Sequence, residues 1–132
     1  MGDGAGLKEL KMRPIKFRAW NKNAKIMVDL KKITHLALSE GLQGGIYIPE
    51  LDDFEVMQFT GLHDKNGTPV YEGDIVSDHV GIGSVEYADD FAGFRVNYHD
   101  SRAKWFYDYS LRGEMESIEV IGNIYESPEL LK

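Results

Sequence analysis

Four histidines and several close acidic pairs are the residues of this chain with chemistry to offer. His35, His63, His79 and His99 stand 28, 16 and 20 residues apart. A helix-borne metal site sets two histidines at i and i+4, as in H-E-x-x-H, so this spacing builds none. His63 precedes Asp64, and a histidine beside a carboxylate can act as an acid–base couple; a loop histidine facing water is the competing reading. Asp52-Asp53-Glu55 and Asp89-Asp90 supply oxygen ligands suited to a hard cation. Neither has the spaced ligands and glycine of a calcium loop, and adjacent acids are commonly solvated turn residues. Glu72 and Asp74 flank Gly73, and residues two apart in an extended segment share a face, which can pair their carboxylates. An Asp between Gly and a strand more often accepts local backbone N–H groups and fixes a turn, the reading preferred here. The chain has no Gly-x-Ser-x-Gly, no P-loop and no dinucleotide fingerprint. No catalytic residue, metal or cofactor is therefore assigned.

Two groups of residues point to binding instead. Lys16, Arg18, Trp20, Lys22 and Lys25 interleave cations with an aromatic ring along one hairpin. That is the composition of a single-strand platform, where bases stack on rings and cations follow phosphates. Strand alternation opposes it, because Ile15, Phe17 and Ala19 are then expected to face the core while Lys16 and Arg18 face water. The second group is Trp105-Phe106-Tyr107-Asp108-Tyr109. Read as a strand, it places Trp105, Tyr107 and Tyr109 on one face and Phe106 on the other. Either the Trp/Tyr face is exposed as a protein-contact surface, or it fills the core.

These residues must be positioned by strands. Ile15 to Trp20 alternates apolar and basic, Asn21-Lys22-Asn23 turns the chain, and Ile26-Met27-Val28 returns it. Ile33 to Leu38 and Ile46-Tyr47-Ile48 are weaker strand signals around the loop at 39–45, with Pro49 ending the second. Residues 51–54 could form one helical turn, and Glu55 to Thr60 resumes the strand pattern. Asn66-Gly67 is a strong turn signal because both residues tolerate positive φ, and Glu72-Gly73-Asp74 offers a second tight turn. Beyond it, 74–77, 83–87, 94–98, 104–109 and 118–125 are five strand candidates at the spacing of a small barrel or sandwich. Gly122 within the last of them predicts a bulge or a barrel corner. Ser127-Pro128 is suited to open a short helical turn, with Ser at the N-cap and Pro at N1.

Composition narrows the class. A chain of 132 residues suits one domain or two small lobes sharing a core. It has no cysteine, which excludes disulfides and thiolate metal sites and fits a reducing cytosol. No apolar run approaches the roughly 20 residues of a membrane span. The net charge is −7, unevenly spread: residues 1–50 hold nine Lys/Arg against five Asp/Glu, and residues 51–132 hold six against seventeen. Halves of +4 and −11 can complement one another between subunits. Residues 1–12, glycine-rich at the start, are expected to be a disordered or non-native extension, with Met12 the natural start. Lys8-Glu9 can be encoded as AAG-GAG, a purine-rich ribosome-binding sequence two codons upstream of Met12.

Lys16 to Trp20, Met57 to Leu62, Asp64-Lys65-Asn66-Gly67, Tyr71 to Val76 and Glu119 to Leu131 together resemble the YopX family of phage- and prophage-encoded proteins. The resemblance runs from Arg13 to Leu131 and departs at 39–50 and 100–117, where loop lengths vary. It implies an all-β fold whose C-terminal part is an SH3-like small barrel, and it brings no activity, cofactor or catalytic residue. The expectation is an N-terminal β-hairpin or meander lobe over 13–69 and an SH3-like barrel lobe over 70–132. Asn66, Gly67, Glu72, Gly73, Asp74 and Gly122 are assigned to turns. The expected function is that of a non-enzymatic phage accessory protein in the cytoplasm of a bacterial host. It would act through protein–protein contacts, self-associating as a homo-oligomer and meeting an unknown host or phage protein. Nucleic-acid binding through the basic hairpin is the alternative.

Overall fold

The computed structural model describes residues 15–30 and 53–132. His35, the strand signals at 33–38 and 46–48, the loop between them and the N-terminal extension lie outside the described residues. The helical turn expected at 51–54 is described only from Asp53, and Phe54 already belongs to a strand.

The fold is nearly all β, in two antiparallel sheets. The first contains β1 (Phe17–Asn21), β2 (Ile26–Asp29), β3 (Phe54–His63) and β4 (Pro69–Tyr71), in the order β2-β1-β3-β4. The second contains β5 (Asp74–Ser77), β6 (Ile82–Ala88), β7 (Gly93–Asn97), β8 (Ala103–Trp105) and β9 (Glu119–Asn123), in the order β8-β7-β6-β5-β9. This second sheet curls into a half-barrel, the small-barrel element expected of the C-terminal part. One short helix, α1 (Phe106–Leu111), follows β8 directly. Val70, Val76, Val85, Val96, Tyr98, Phe106, Tyr109 and Ile118 form the core, so β4 of the first sheet and α1 both close the half-barrel.

Turn chemistry departs from the simplest reading. At Asn66-Gly67 only Gly67 adopts positive φ, +82°. The turn is organised by the Asp64 carboxylate instead: Oδ1 accepts the N–H groups of Asn66 and Thr68, both at 2.8 Å. Gly73 has φ +83°, and a Cβ there would stand 2.9 Å from Met57 Sδ, so both backbone and space call for glycine. Gly122 lies at the expected bulge: Ile75 pairs with Gly122, while Val76 pairs with Val120. A short 3-10 turn over Pro128–Leu131 follows Ser127, with Pro at its start but no hydrogen bond from the Ser127 side chain.

The strand expected over 104–109 is corrected. Trp105 ends β8, and the chain turns helical at Phe106. Phe106 and Tyr109 are i and i+3, the spacing that puts two rings on one helical face, and both are buried. Gly113, at φ +67°, stands just past the end of α1, where a left-handed residue stops a helix.

The facing of β1 is also corrected. Of the three residues expected to face the core, Ala19 is buried but Ile15 and Phe17 are exposed, whereas Trp20 is buried and Arg18 largely so. Trp20 stacks on Tyr125 with ring centres 5.6 Å apart. Arg18 Nη2 reaches Asp74 Oδ1 at 2.7 Å and the Glu72 carbonyl at 3.1 Å, and the guanidinium lies over the Tyr71 ring. A buried carboxylate across the sheet junction thus turns an arginine inward against the apolar alternation. Asp74 Oδ2 also accepts the Tyr71 N–H at 2.8 Å, and Glu72 Oε1 accepts the Gln58 N–H at 2.8 Å. Burial pushes the Asp74 carboxyl above the usual carboxylate range, and the Arg18 charge and the Tyr71 N–H offset this only in part. The preference for local backbone bonding at Asp74 therefore describes half of what this carboxylate does.

Asp64 joins the sheets a second time. Its Oδ2 accepts the Val120 N–H at 2.8 Å, and Lys65 donates its N–H to the Ile118 carbonyl at 3.0 Å. Burial raises the Asp64 carboxyl, but N–H donors from Val120, Thr68 and Asn66 outweigh it and hold the group low.

Removing one partner of a buried ion pair strands the other charge and costs about 3–5 kcal/mol. Arg18→Met should lose that order of stability in urea unfolding. Adding Asp74→Asn to it should recover part of the loss, because the stranded carboxylate is gone. Strictly additive losses would show that the two side chains are uncoupled.

Candidate functional site

Several residues of the signature blocks are spent inside the fold. Arg18, Trp20, Asp64, Asp74 and Tyr125 bond or stack across the junction of the two sheets, and Glu72, where the chain passes from one sheet to the other, bonds Gln58 and, through its carbonyl, Arg18. Of the five hairpin residues proposed to meet nucleic acid, Arg18 and Trp20 are held this way. Lys16 lies over the Phe59 ring, Lys22 pairs with Glu55 at 3.4 Å, and Lys25 is exposed at the hairpin turn with φ +58°. His63 packs edge-on against Phe59, while the Asp64 carboxylate is fully engaged by backbone N–H groups. Among the described residues no three His, Asp or Glu side chains gather as metal ligands would.

The Trp/Tyr trio divides, because the helix breaks the alternation that put it on one face. Tyr109 is wholly buried, Trp105 is half-buried, and Tyr107 is 63% exposed. The Tyr109 hydroxyl donates to Asp78 Oδ2. Tyr98 donates to the same oxygen at 2.7 Å and lies 2.6 Å from the Tyr109 hydroxyl. Asp78 Oδ1 also accepts the Val80 and Gly81 N–H groups. Burial raises the Asp78 carboxyl, but the two hydroxyls and the backbone donors bring it below its ordinary value. Both tyrosines are pushed well up, first by burial and then by the carboxylate, which resists a second negative charge beside it.

The half-barrel carries a groove of about 570 Å3 lined by Phe91, Ala92, Gly93, Phe94, Trp105, Phe106 and Tyr107. Strand β7 brings Phe94, the end of β8 brings Trp105, the first turn of α1 brings Tyr107, and the 3-10 turn Asp89–Phe91 brings Phe91. Phe91 is 69% exposed and meets Trp105 edge-on with centres 5.3 Å apart. Tyr87, also exposed, meets Phe94 in the same manner at 5.2 Å. Ala92 holds the rim in left-handed backbone, φ +51°, a conformation that costs an alanine about 1 kcal/mol and clusters at functional positions. A smaller depression of about 270 Å3, lined by Glu86, Asp89, Asp90 and Arg95 among others, adjoins the groove and shares Phe91 with it. Arg95 and Asn97 tie up the Glu86 carboxylate, whereas among the described residues no side chain pairs with the carboxylates of Asp89 and Asp90. Sequence reasoning passed over Phe91 and Phe94. The available signal was Asp-Asp-Phe before Gly93, a turn that throws an apolar side chain outward.

One pair has the geometry of chemistry. Ser84 Oγ and His99 Nε2 stand 2.7 Å apart, the separation of a nucleophile and its base. The nearest acid on that face, Glu86, is bonded to Arg95 and Asn97, and among the described residues no carboxylate hydrogen-bonds His99 to orient its ring.

The YopX protein family matches residues 16–132. The chain belongs to that family. Among solved structures, this YopX protein is similar to protein EF1440 from Enterococcus faecalis, seen in a crystal structure. The two share 25% sequence identity over 92% of this chain and 100% of that one, with a TM-score of 0.53. No curated protein matches. The junction contacts of Arg18 with Asp74, Trp20 with Tyr125 and Asp64 with Val120 all lie within the matched region.

The Asp78 network fixes a pH response. A tyrosine whose folded pKa is raised contributes stability below its unfolded value near 10, and that stability is lost as pH rises toward the folded value. Asp78, held low, contributes above about pH 4 and loses its contribution as pH falls through the folded value. In an ultraviolet titration, Tyr98 and Tyr109 should stay protonated until alkaline unfolding, and Tyr98→Phe with Tyr109→Phe should abolish that late step. Smooth ionisation of every tyrosine in the folded protein would contradict the network.

Proposed function

We propose that this YopX protein is a non-enzymatic binding module, and that the groove of Phe91, Phe94, Trp105 and Tyr107 is the surface through which it contacts other proteins. The observation that carries this reading is the exposure of large rings around one concavity. Trp and Tyr anchor interfaces because they bury much area at small entropic cost, and contiguous exposed apolar patches mark contact sites. The rings are held by a rigid support, the half-barrel core. A preorganised patch binds without first having to order itself.

The setting is that of a phage or prophage accessory protein in the bacterial cytoplasm. The absence of cysteine fits that compartment. Among the described residues no helix is long and apolar enough to cross a membrane.

Phe91→Ala with Trp105→Ala should abolish co-purification of the specific protein partner from phage-infected cells, with the fold retained by circular dichroism. Lys16→Ala, Lys22→Ala and Lys25→Ala together should leave that partner bound. If the lysine variant loses its ligand and the groove variant keeps it, the groove reading fails. Should the ligand so lost be DNA or RNA, the hairpin is a nucleic-acid surface.

A further inference from the structure

The groove and the depression beside it differ in chemistry, and together they describe an occupant. One is ringed by aromatic side chains, the other carries Asp89 and Asp90, and Phe91 stands between them. An apolar residue flanked by two cations fits both at once. The described part of this chain presents such a segment at the β1–β2 hairpin tip. Ile26 is 53% exposed, and Lys22 and Lys25 are exposed beside it. Among the described residues, the one ion pair of either lysine is the solvent-exposed contact of Lys22 with Glu55, a kind of pair worth little.

The hairpin tip is rigid enough to serve as a plug. Asn21 Oδ1 accepts the N–H groups of Asn23 and Ala24, both at 3.0 Å, and Lys25 donates its N–H to the Asn21 carbonyl at 2.7 Å. Charge runs the same way along the whole chain: residues 1–50 carry nine Lys/Arg against five Asp/Glu, and residues 51–132 carry six against seventeen.

Resting on the groove as the contact surface, we propose that its occupant is the hairpin tip of a second copy of this chain. Ile26 enters against Phe91 and Trp105, and Lys22 and Lys25 face Asp89 and Asp90 across the rim. Groove and tip are different surfaces, so the contact is head-to-tail: it closes into a ring where the rotation permits and otherwise extends. Rim charges set the encounter and its partner choice, while the ring-lined socket holds the apolar anchor. A contact this small gives weak, concentration-dependent association.

Sedimentation velocity of the full chain, at about 50 and about 500 mM salt, tests this by shortening the Debye length several-fold. Wild type should associate with rising concentration at low salt and weaken about tenfold or more at high salt. Asp89→Lys with Asp90→Lys should be monomeric, as should Lys22→Glu with Lys25→Glu, and an equal mixture of the two should associate again. Ile26→Ser should weaken assembly without altering the circular dichroism spectrum. A wild type that stays monomeric at low salt, or a mixture of the two charge-reversed variants that stays monomeric, overturns the proposal. The groove reading stands if Phe91→Ala with Trp105→Ala still releases a different protein partner, and falls with the proposal if that variant releases none.

Discussion

A buried arginine–aspartate pair is the constraint on which the rest of this structure depends. Arg18 comes from the first sheet and Asp74 from the first strand of the second, and their contact fixes how one sheet sits on the other. Asp74 is almost wholly buried, so its carboxylate would be very costly without a cation and an N–H donor. The surrounding bonds share that cost. The Tyr71 N–H satisfies the other oxygen, the Tyr71 ring covers the guanidinium, and Glu72 ties its own strand end to Gln58. Asp64 repeats the device farther along, spending a carboxylate on three backbone donors, one of them in β9. Polar groups, more than apolar area, thus set the geometry of the sheet junction.

That arrangement separates architecture from action. Arg18, Trp20, Asp64 and Asp74 face inward at the junction, where substituting one partner of the Arg18–Asp74 pair penalises the other. The aromatic groove lies elsewhere, on the half-barrel, between residues 91 and 107.

Much of the scaffold was legible in the sequence because strands announce themselves by alternation and turns by Asn, Asp and Gly. The run from 74 to 98 reads as three strands and folds as three strands, β5, β6 and β7. The bulge at Gly122 and the end of the chain were legible for the same reason. Two features were not. In 104–109 every residue but Lys104 and Asp108 is aromatic, so strand alternation and helical i, i+3 spacing both find apolar partners there, and only burial of Phe106 with Tyr109 decides between them. In β1 the alternation was read as though cations must face water. A guanidinium with a buried carboxylate within reach inverts that rule, and the carboxylate lies 56 residues downstream, beyond any local pattern. The groove was half legible: Trp105 and Tyr107 stood out as rings, but Phe91 joins them only through the pairing of β7 with β8.

Both carboxylate clamps span the same sequence distance: Arg18 to Asp74 and Asp64 to Val120 are each 56 residues apart. During synthesis at about 5–20 residues per second, each waits roughly 3–11 s for its partner to be made. The Asp64 turn can form its own loop bonds at once, yet it cannot be fastened to the half-barrel until residue 120 has left the ribosome. Assembly of the nascent chain therefore ends at its C-terminal strand, and until that strand arrives the two sheets are aligned by the Arg18 clamp and the packing of Val70 against Val76, Val85 and Val96.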